Sequence, residues 1–279
     1  MSGDGPNDVA EANRRFRIWM RQNLDHAADH FGLAVTAEPV FGWRDRSVGA
    51  RTDGPQGRRW LRVVSEQPQW AQGPGWTGNA DANDVPGVPK PRVLAGYEWD
   101  EGGWRRQRAE VMTLMPGAPC STTDTPQPGT DPPDAWWAGL RIGLRSLAAT
   151  VTDRVSIDQD KVDRRVRTAF GEDVRVPIQR WETVHGDLHW ANLLNPLGIL
   201  DWELWGRGPV GTDAATLYCY SLNDPALARK IRGWCPVLDT PDGHRAQLYV
   251  AARLLGRAEL GDHPELTDPL RHLAAELLA

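Results

Sequence analysis

The chain has 279 residues, a formal net charge of −5, 40% hydrophobic residues and 25% charged ones, an ordinary composition for a globular protein. At ~100–200 residues per domain, this length bounds it to one large domain or two small lobes. No window approaches ~18 uninterrupted apolar residues, which excludes a membrane span, and a net negative balance argues against a general nucleic-acid binder.

Of the 32 cationic side chains, only Lys90, Lys161 and Lys230 are lysines. Cys120, Cys219 and Cys235 are widely spaced and form no C-x-x-C pair, so free thiols in a reducing cytoplasm are expected rather than disulfides or structural zinc. Met1–Arg15 carries no apolar run, so no secretory signal is expected there. The 14 tryptophans read as packing anchors, with a few available to line a pocket.

In chain order, Asp8 with Glu11 reads as a capping box. Phe16, Trp19, Met20, Leu24, Ala27 and Phe31 then recur on one helical face that Gly32 ends. Residues 33–41, 48–52 and 59–64 read as strands, the last two joined by the turn Asp53-Gly54-Pro55-Gln56-Gly57. Residues 66–90 show no helix. Residues 92–99 and 104–115 form a hairpin around Asp100-Glu101-Gly102-Gly103. Pro116 to Asp134 holds six prolines and reads as an irregular connection, either a lobe boundary or a flexible loop over a site. Helices are expected from Trp136 to Val151, around Val162–Phe170, and over 211–223, 241–258 and 264–278, with short extended pieces near 181–185, 192–194 and 198–201. The expected architecture is α+β, with a β-rich N-terminal lobe over 1–115 and a mainly helical lobe over 116–279.

The chemistry is concentrated in Val184-His185-Gly186-Asp187-Leu188-His189-Trp190-Ala191-Asn192, followed by a tight hairpin that ends at Leu200-Asp201-Trp202-Glu203. The hairpin can bring Asn192 close to Asp201. A carboxylate to take the proton of an attacking hydroxyl, with an amide oxygen and a second carboxylate for Mg²⁺, is what phosphoryl transfer requires.

The pattern H-G-D-x-x-x-x-N followed by L-D-x-E resembles the aminoglycoside phosphotransferase and choline kinase families, which share the bilobal kinase-like fold. The resemblance covers most of the chain in outline and roughly 30 residues in detail. It implies that Asp187 is the catalytic base, that His185 shapes the catalytic loop, and that Asn192 and Asp201 bind Mg²⁺. It also implies that Glu203 reaches the metal through water and that Asp213 anchors the catalytic loop. The residues alone leave two alternatives open for Asp213, a loop anchor or the N-cap of the helix that follows. His189 and Trp190 either face substrate or fill surface. His185, Asp187 and His189 also mimic a zinc cluster, but the other histidines offer no matching ligands; His26 and His30, four apart, read as a solvated helix face.

Kinase-like folds carry a Lys on the third strand for the nucleotide phosphates. Strand alternation puts Arg62 at that place, where Arg keeps the charge with a different reach. Glu66, Asp81 and Asp84 are its candidate acidic partners. Gly42–Ser47 stands where a phosphate-covering loop belongs, with Arg46 and Ser47 as polar contacts, and lacks G-x-G-x-x-G. Glu110–Gly117, including Glu110 and Thr113, resembles the hinge that holds the nucleobase through backbone groups.

The expectation is therefore a cytoplasmic, Mg²⁺-dependent O-phosphotransferase. It would use ATP or GTP on a small-molecule hydroxyl, with an antibiotic as one acceptor class and resistance as one role. The alternative, motivated by Arg62, is a noncatalytic kinase-like binding module. The mildly acidic tail (Glu259, Asp262, Glu265, Asp268, Glu276) is compatible with a cationic acceptor and equally with a solvated helix; the acceptor stays open.

Overall fold

The computed structural model describes residues 6–279, with side chains from residue 10 onward. The capping box expected at Asp8 therefore lies outside the described side chains. Two compact units emerge, Met1–Asn83 with Pro91–Met115, and Asp84–Lys90 with Pro116–Ala279.

The first unit opens with helix α1 (Pro6–Phe31), whose end falls at Gly32 in the left-handed region (φ 63°). The extended run expected over 33–41 is two short strands instead, β1 (Ala34–Val35) and β2 (Val40–Phe41). Pro39 stands just ahead of β2 and has no N–H to donate to a ladder. Both pair antiparallel with β3 (Ser47–Gly54), which turns through Pro55-Gln56 into β4 (Gly57–Glu66). Helix α2 (Pro74–Asp81) follows, where the sequence reading expected none. Pro74 suits a first turn, whose N–H groups lack partners anyway. Strands β5 (Val93–Glu101) and β6 (Arg105–Thr113) complete an antiparallel sheet of order β1-β3-β4-β6-β5.

Alternation along the strands decides the two faces of this sheet. Val48 and Ala50, Leu61 and Val63, and Ala109 and Val111 pack against Met20, Leu24, Ala27 and Ala28 of α1, all buried. Arg62 and Glu110 fall on the opposite parity. His26 and His30 are not merely solvated: His30 stacks on Tyr97 at 3.7 Å and His26 lies 4.9 Å from the Trp99 ring.

The second unit begins with β7 (Ala118–Pro119), followed by α3 (Asp134–Ala148) and α4 (Gln159–Phe170). Strand β8 (Trp181–Val184) leads into the motif segment, then β9 (Leu193–Asn195), β10 (Gly198–Ile199) and β11 (Gly206–Pro209). Helices α5 (Thr212–Tyr220), α6 (Pro225–Trp234), α7 (Pro241–Ala258) and α8 (Thr267–Leu278) end the chain. Strands β10-β9-β7 form one small sheet and β11-β8 another. Trp136, Leu140, Val162, Trp190, Trp202, Tyr249 and Leu270 are buried here. Most of α5 is buried as well, so the motif segment stands against apolar helices.

The Pro-rich connection is irregular apart from β7, yet it is stitched down. Cys120 N donates to Leu193 O at 2.7 Å and Trp190 N to Asp124 O at 3.2 Å. Gly117 (φ 90°) passes so close to the hairpin that a Cβ there would lie 2.4 Å from Asn195 O.

Candidate active site

Strand β8 delivers His185 into the core. Its buried ring bonds through Nε2 to Leu200 O at 2.8 Å and meets Trp202 edge-on at 4.9 Å. Burial pushes its pKa down to about 4, outweighing the pull of the nearby Asp187 carboxylate. The imidazole is therefore neutral: Nε2–H donates to Leu200 O, and Nδ1 accepts the Asp187 N–H at 3.4 Å. Gly186 has φ 85°, and a Cβ there would meet Leu204 O at 2.7 Å and Ser156 Oγ at 2.8 Å. Between His185 and Asp187, both backbone conformation and space thus call for glycine.

Asp213 lies on α5. Its carboxylate accepts from His185 N at 2.8 Å and from Gly186 N at 2.9 Å. It does not cap its helix, because the N-cap position is Gly211. Burial raises its pKa to about 7 against the opposing effect of those two peptide donors.

Asp187 sits at the loop's turn. Arg253 Nη1 lies 3.3 Å from its Oδ1, and His189 Nε2 lies 3.6 Å from its Oδ2. Burial works against the charge of Asp187, but His189 and Arg253 more than offset it and hold the carboxyl below the usual range. Burial likewise opposes charge on His189, and the carboxylates of Asp187, Asp124 and Asp201 reverse the balance and raise it. Trp190 does not face outward: it is fully buried and donates Nε1–H to Ser221 Oγ at 2.8 Å.

Asn192 uses its amide nitrogen on Asp187 O at 3.0 Å and faces His189 Nε2 at 3.1 Å. Among the described residues its Oδ1 accepts nothing, which leaves a hard oxygen donor. Leu200 N donates to Asn192 O at 2.8 Å, so Asp201 follows directly after the residue opposite Asn192. Asp201 is exposed and left-handed (φ 57°), a costly backbone state that is concentrated at working sites. Glu203 lies in the short 3-10 turn Trp202–Leu204. This donor set of one amide oxygen and exposed carboxylate fits Mg²⁺, which keeps several waters.

In the first unit, an acid that was not among the candidates for Arg62 stands beside it: Glu110, directly opposite in the β4–β6 register, with Arg62 Nη1 3.7 Å from its Oε2. Glu110 also accepts from Asn79 Nδ2 at 2.8 Å and Arg108 Nε at 3.0 Å. Glu110 is buried in a strand flanked on both sides by β4 and β5, and Thr113 N is spent on Arg92 O at 2.9 Å. The Glu110 peptide therefore lies inside the sheet, and the Thr113 N–H already has a partner. Arg46 Nη1 bonds Glu66 at 3.3 Å, and Gly42 N donates to Ser47 O at 2.9 Å, closing the loop between β2 and β3. Its turn residues Arg44 and Asp45 are both left-handed.

Sequence reasoning missed the ring around Asp187. Asp124, from the Pro-rich connection, meets Arg257 at 3.0 Å, His263 at 3.2 Å and His189 at 3.6 Å. Arg253 lies 67 positions from Gly186, and no local pattern pointed to it. The Arg62–Glu110 pairing had no local signal either, because β4 and β6 are neighbours in the sheet without being neighbours in sequence.

Two solved structures share this architecture. That of aminoglycoside phosphotransferase APH(4)-Ia superposes with a TM-score of 0.59 at 15% identity, covering 90% of this chain and 97% of that one. That of spectinomycin phosphotransferase APH(9)-Ia, in complex with ADP and spectinomycin, gives 0.51 at 12% identity, covering 92% and 93%. No family model and no curated protein sequence matches the chain. At these identities the likeness is one of fold: the chain has the α+β, kinase-like fold of the aminoglycoside phosphotransferases, a sheet-rich N-terminal part followed by a helical one.

Proposed function

We propose that the protein is a Mg²⁺-dependent phosphotransferase that moves the γ-phosphate of ATP or GTP to a hydroxyl of a small molecule. The observation that carries this reading is the Asp187 loop itself. Its carboxylate is kept ionised by Arg253 and His189, its peptides are fixed by Asp213, and the Asn192 oxygen is left open beside it. In this reading Asp187 accepts the proton as the acceptor oxygen attacks phosphorus and the bond to the leaving nucleoside diphosphate breaks. Asn192 and Asp201 would hold Mg²⁺, with Glu203 reaching it through water. The ion, when bound, offsets the charge of the phosphate oxygens. Arg62 supplies the fixed cation for those phosphates, and the backbone of Gly42–Ser47, with Arg46 and Ser47, covers them.

The solved neighbour that holds ADP and spectinomycin supports a nucleotide and a small hydroxylated molecule as the two substrates. Antibiotics are therefore the first acceptor class to test, with resistance as the corresponding role and the cytoplasm, where ATP is made, as the setting. No helix among the described residues is long and apolar enough to cross a membrane.

The expected result is that wild type forms a phosphorylated product and ADP from MgATP, while Asp187→Asn forms none and still binds MgATP. Arg62 in place of Lys keeps one rival alive, a nucleotide-binding module without turnover. Wild-type protein that binds MgATP but phosphorylates no hydroxyl acceptor would decide for that rival.

A further inference from the structure

Helix α7 is an 18-residue helix with buried Tyr249, Val250, Ala251, Ala252 and Leu254, and Arg253 lies in the midst of them. Its side chain is 9% exposed. A buried cation is costly unless its surroundings use it. Three groups do. Arg253 Nη1 donates to Gly186 O at 2.7 Å and stands 3.3 Å from Asp187 Oδ1, while Nη2 reaches Thr216 Oγ1 at 3.4 Å.

One end of the guanidinium therefore grips two consecutive residues, one by its peptide oxygen and one by its carboxylate. Asp213 already fixes the peptide on the other side of Gly186 through the Gly186 N–H. The two peptides flanking a left-handed glycine are thus both pinned, and with them the direction of the Asp187 side chain. A tie to Gly186 O alone would need only a neutral donor; a charged fork adds a grip on the carboxylate.

We propose that Arg253 is a positioning residue of the reaction: it holds Asp187 Oδ1 while His189 stands 3.6 Å from Oδ2, and so fixes the orientation in which the carboxylate meets the acceptor hydroxyl. This rests on the phosphotransferase reading above. Arg253 touches neither substrate in this account. It sets where the carboxylate points.

The test compares wild type, Arg253→Lys and Arg253→Met, with water as the acceptor and phosphate release from MgATP as the readout. Thermal unfolding with and without MgATP is run on all three. Arg253→Met is expected to lose ~10²-fold or more in kcat, the range of a misplaced general base, with KM for MgATP within about twofold. Arg253→Lys keeps the charge but not the fork, and is expected to lose roughly tenfold in kcat at unchanged KM. If Arg253→Met does not fold, Arg253→Lys carries the decision. Wild-type kcat in Arg253→Lys, or a loss that falls on KM instead, overturns the inference alone. A wild type that neither turns over MgATP nor gains stability from it overturns the phosphotransferase reading, and this inference with it.

Discussion

Asp124 and Asp213 are the same residue type in opposite electrostatic states. Burial alone would push both upward. At Asp124 the hydrogen bond from His263 and the charges of His189 and Arg257 outweigh burial and bring the pKa down to about 2. At Asp213 the main compensation is two peptide N–H groups, and the pKa stays up at about 7. A carboxyl held lower in the folded chain adds stability above its unfolded value and loses it as pH falls through the folded value. From an ordinary 3.8, the Asp124 term is about 2 kcal/mol. Asp124→Asn is therefore expected to flatten the loss of stability between about pH 4 and pH 2, read as urea midpoints against pH. An acid limb identical to wild type would show that the ring around Asp124 contributes nothing to folding. The spacing of Asp187 and Asn192 was legible because both lie in one short loop. Which aspartate is charged was not, because that depends on the cations α7 and the turn before α8 place beside it.

Element by element, legibility followed periodicity. Helix α1 and the hairpins of the first sheet have long patterns of 3.6 or 2, and their parity correctly separates the α1-facing side chains from Arg62. Helix α6 was not among the helices expected from the sequence, although it starts at Asp224-Pro225, a cap followed by a proline suited to the first turn, with Asp224 Oδ1 accepting Leu227 N at 3.0 Å. Helix α2 is only 8 residues with three glycines nearby, and nothing periodic marks it. The Pro-rich connection is the sharpest case, since composition suggested mobility and Cys120, Asp124 and Gly117 tie it to the hairpin. Gly117→Ala is expected to destabilise by about 2 kcal/mol or more, since it adds a left-handed penalty to a backbone collision. Subtilisin should then cut the variant within 118–128 much faster than wild type. Equal cleavage rates would mean that the close approach to Asn195 O does not hold the segment.

For the whole molecule, the order of a sheet-rich part before a helical part was legible, and it is the order of the phosphotransferase fold. A ligand that binds only the folded state stabilises it by mass action, about 2.7 kcal/mol at a hundredfold excess over Kd. MgATP is expected to raise the Tm of wild type by several degrees. EDTA and Asp201→Asn should each remove that rise, because EDTA takes away the ion and the substitution takes away a carboxylate that would hold it. A rise that survives both would place the nucleotide without the metal site drawn here.

By itself the sequence determined what short-range chemistry controls: helix ends, hairpin turns, the glycine between His185 and Asp187, and the five-residue spacing to Asn192. Only the tertiary structure decided that Glu110 answers Arg62, that Arg253 grips Asp187, and that Asp124 reaches Asp187 through His189. Those partners are far apart along the chain and meet through strand register and helix packing. The charge each one keeps is set by burial and neighbours, which no local pattern of residues encodes.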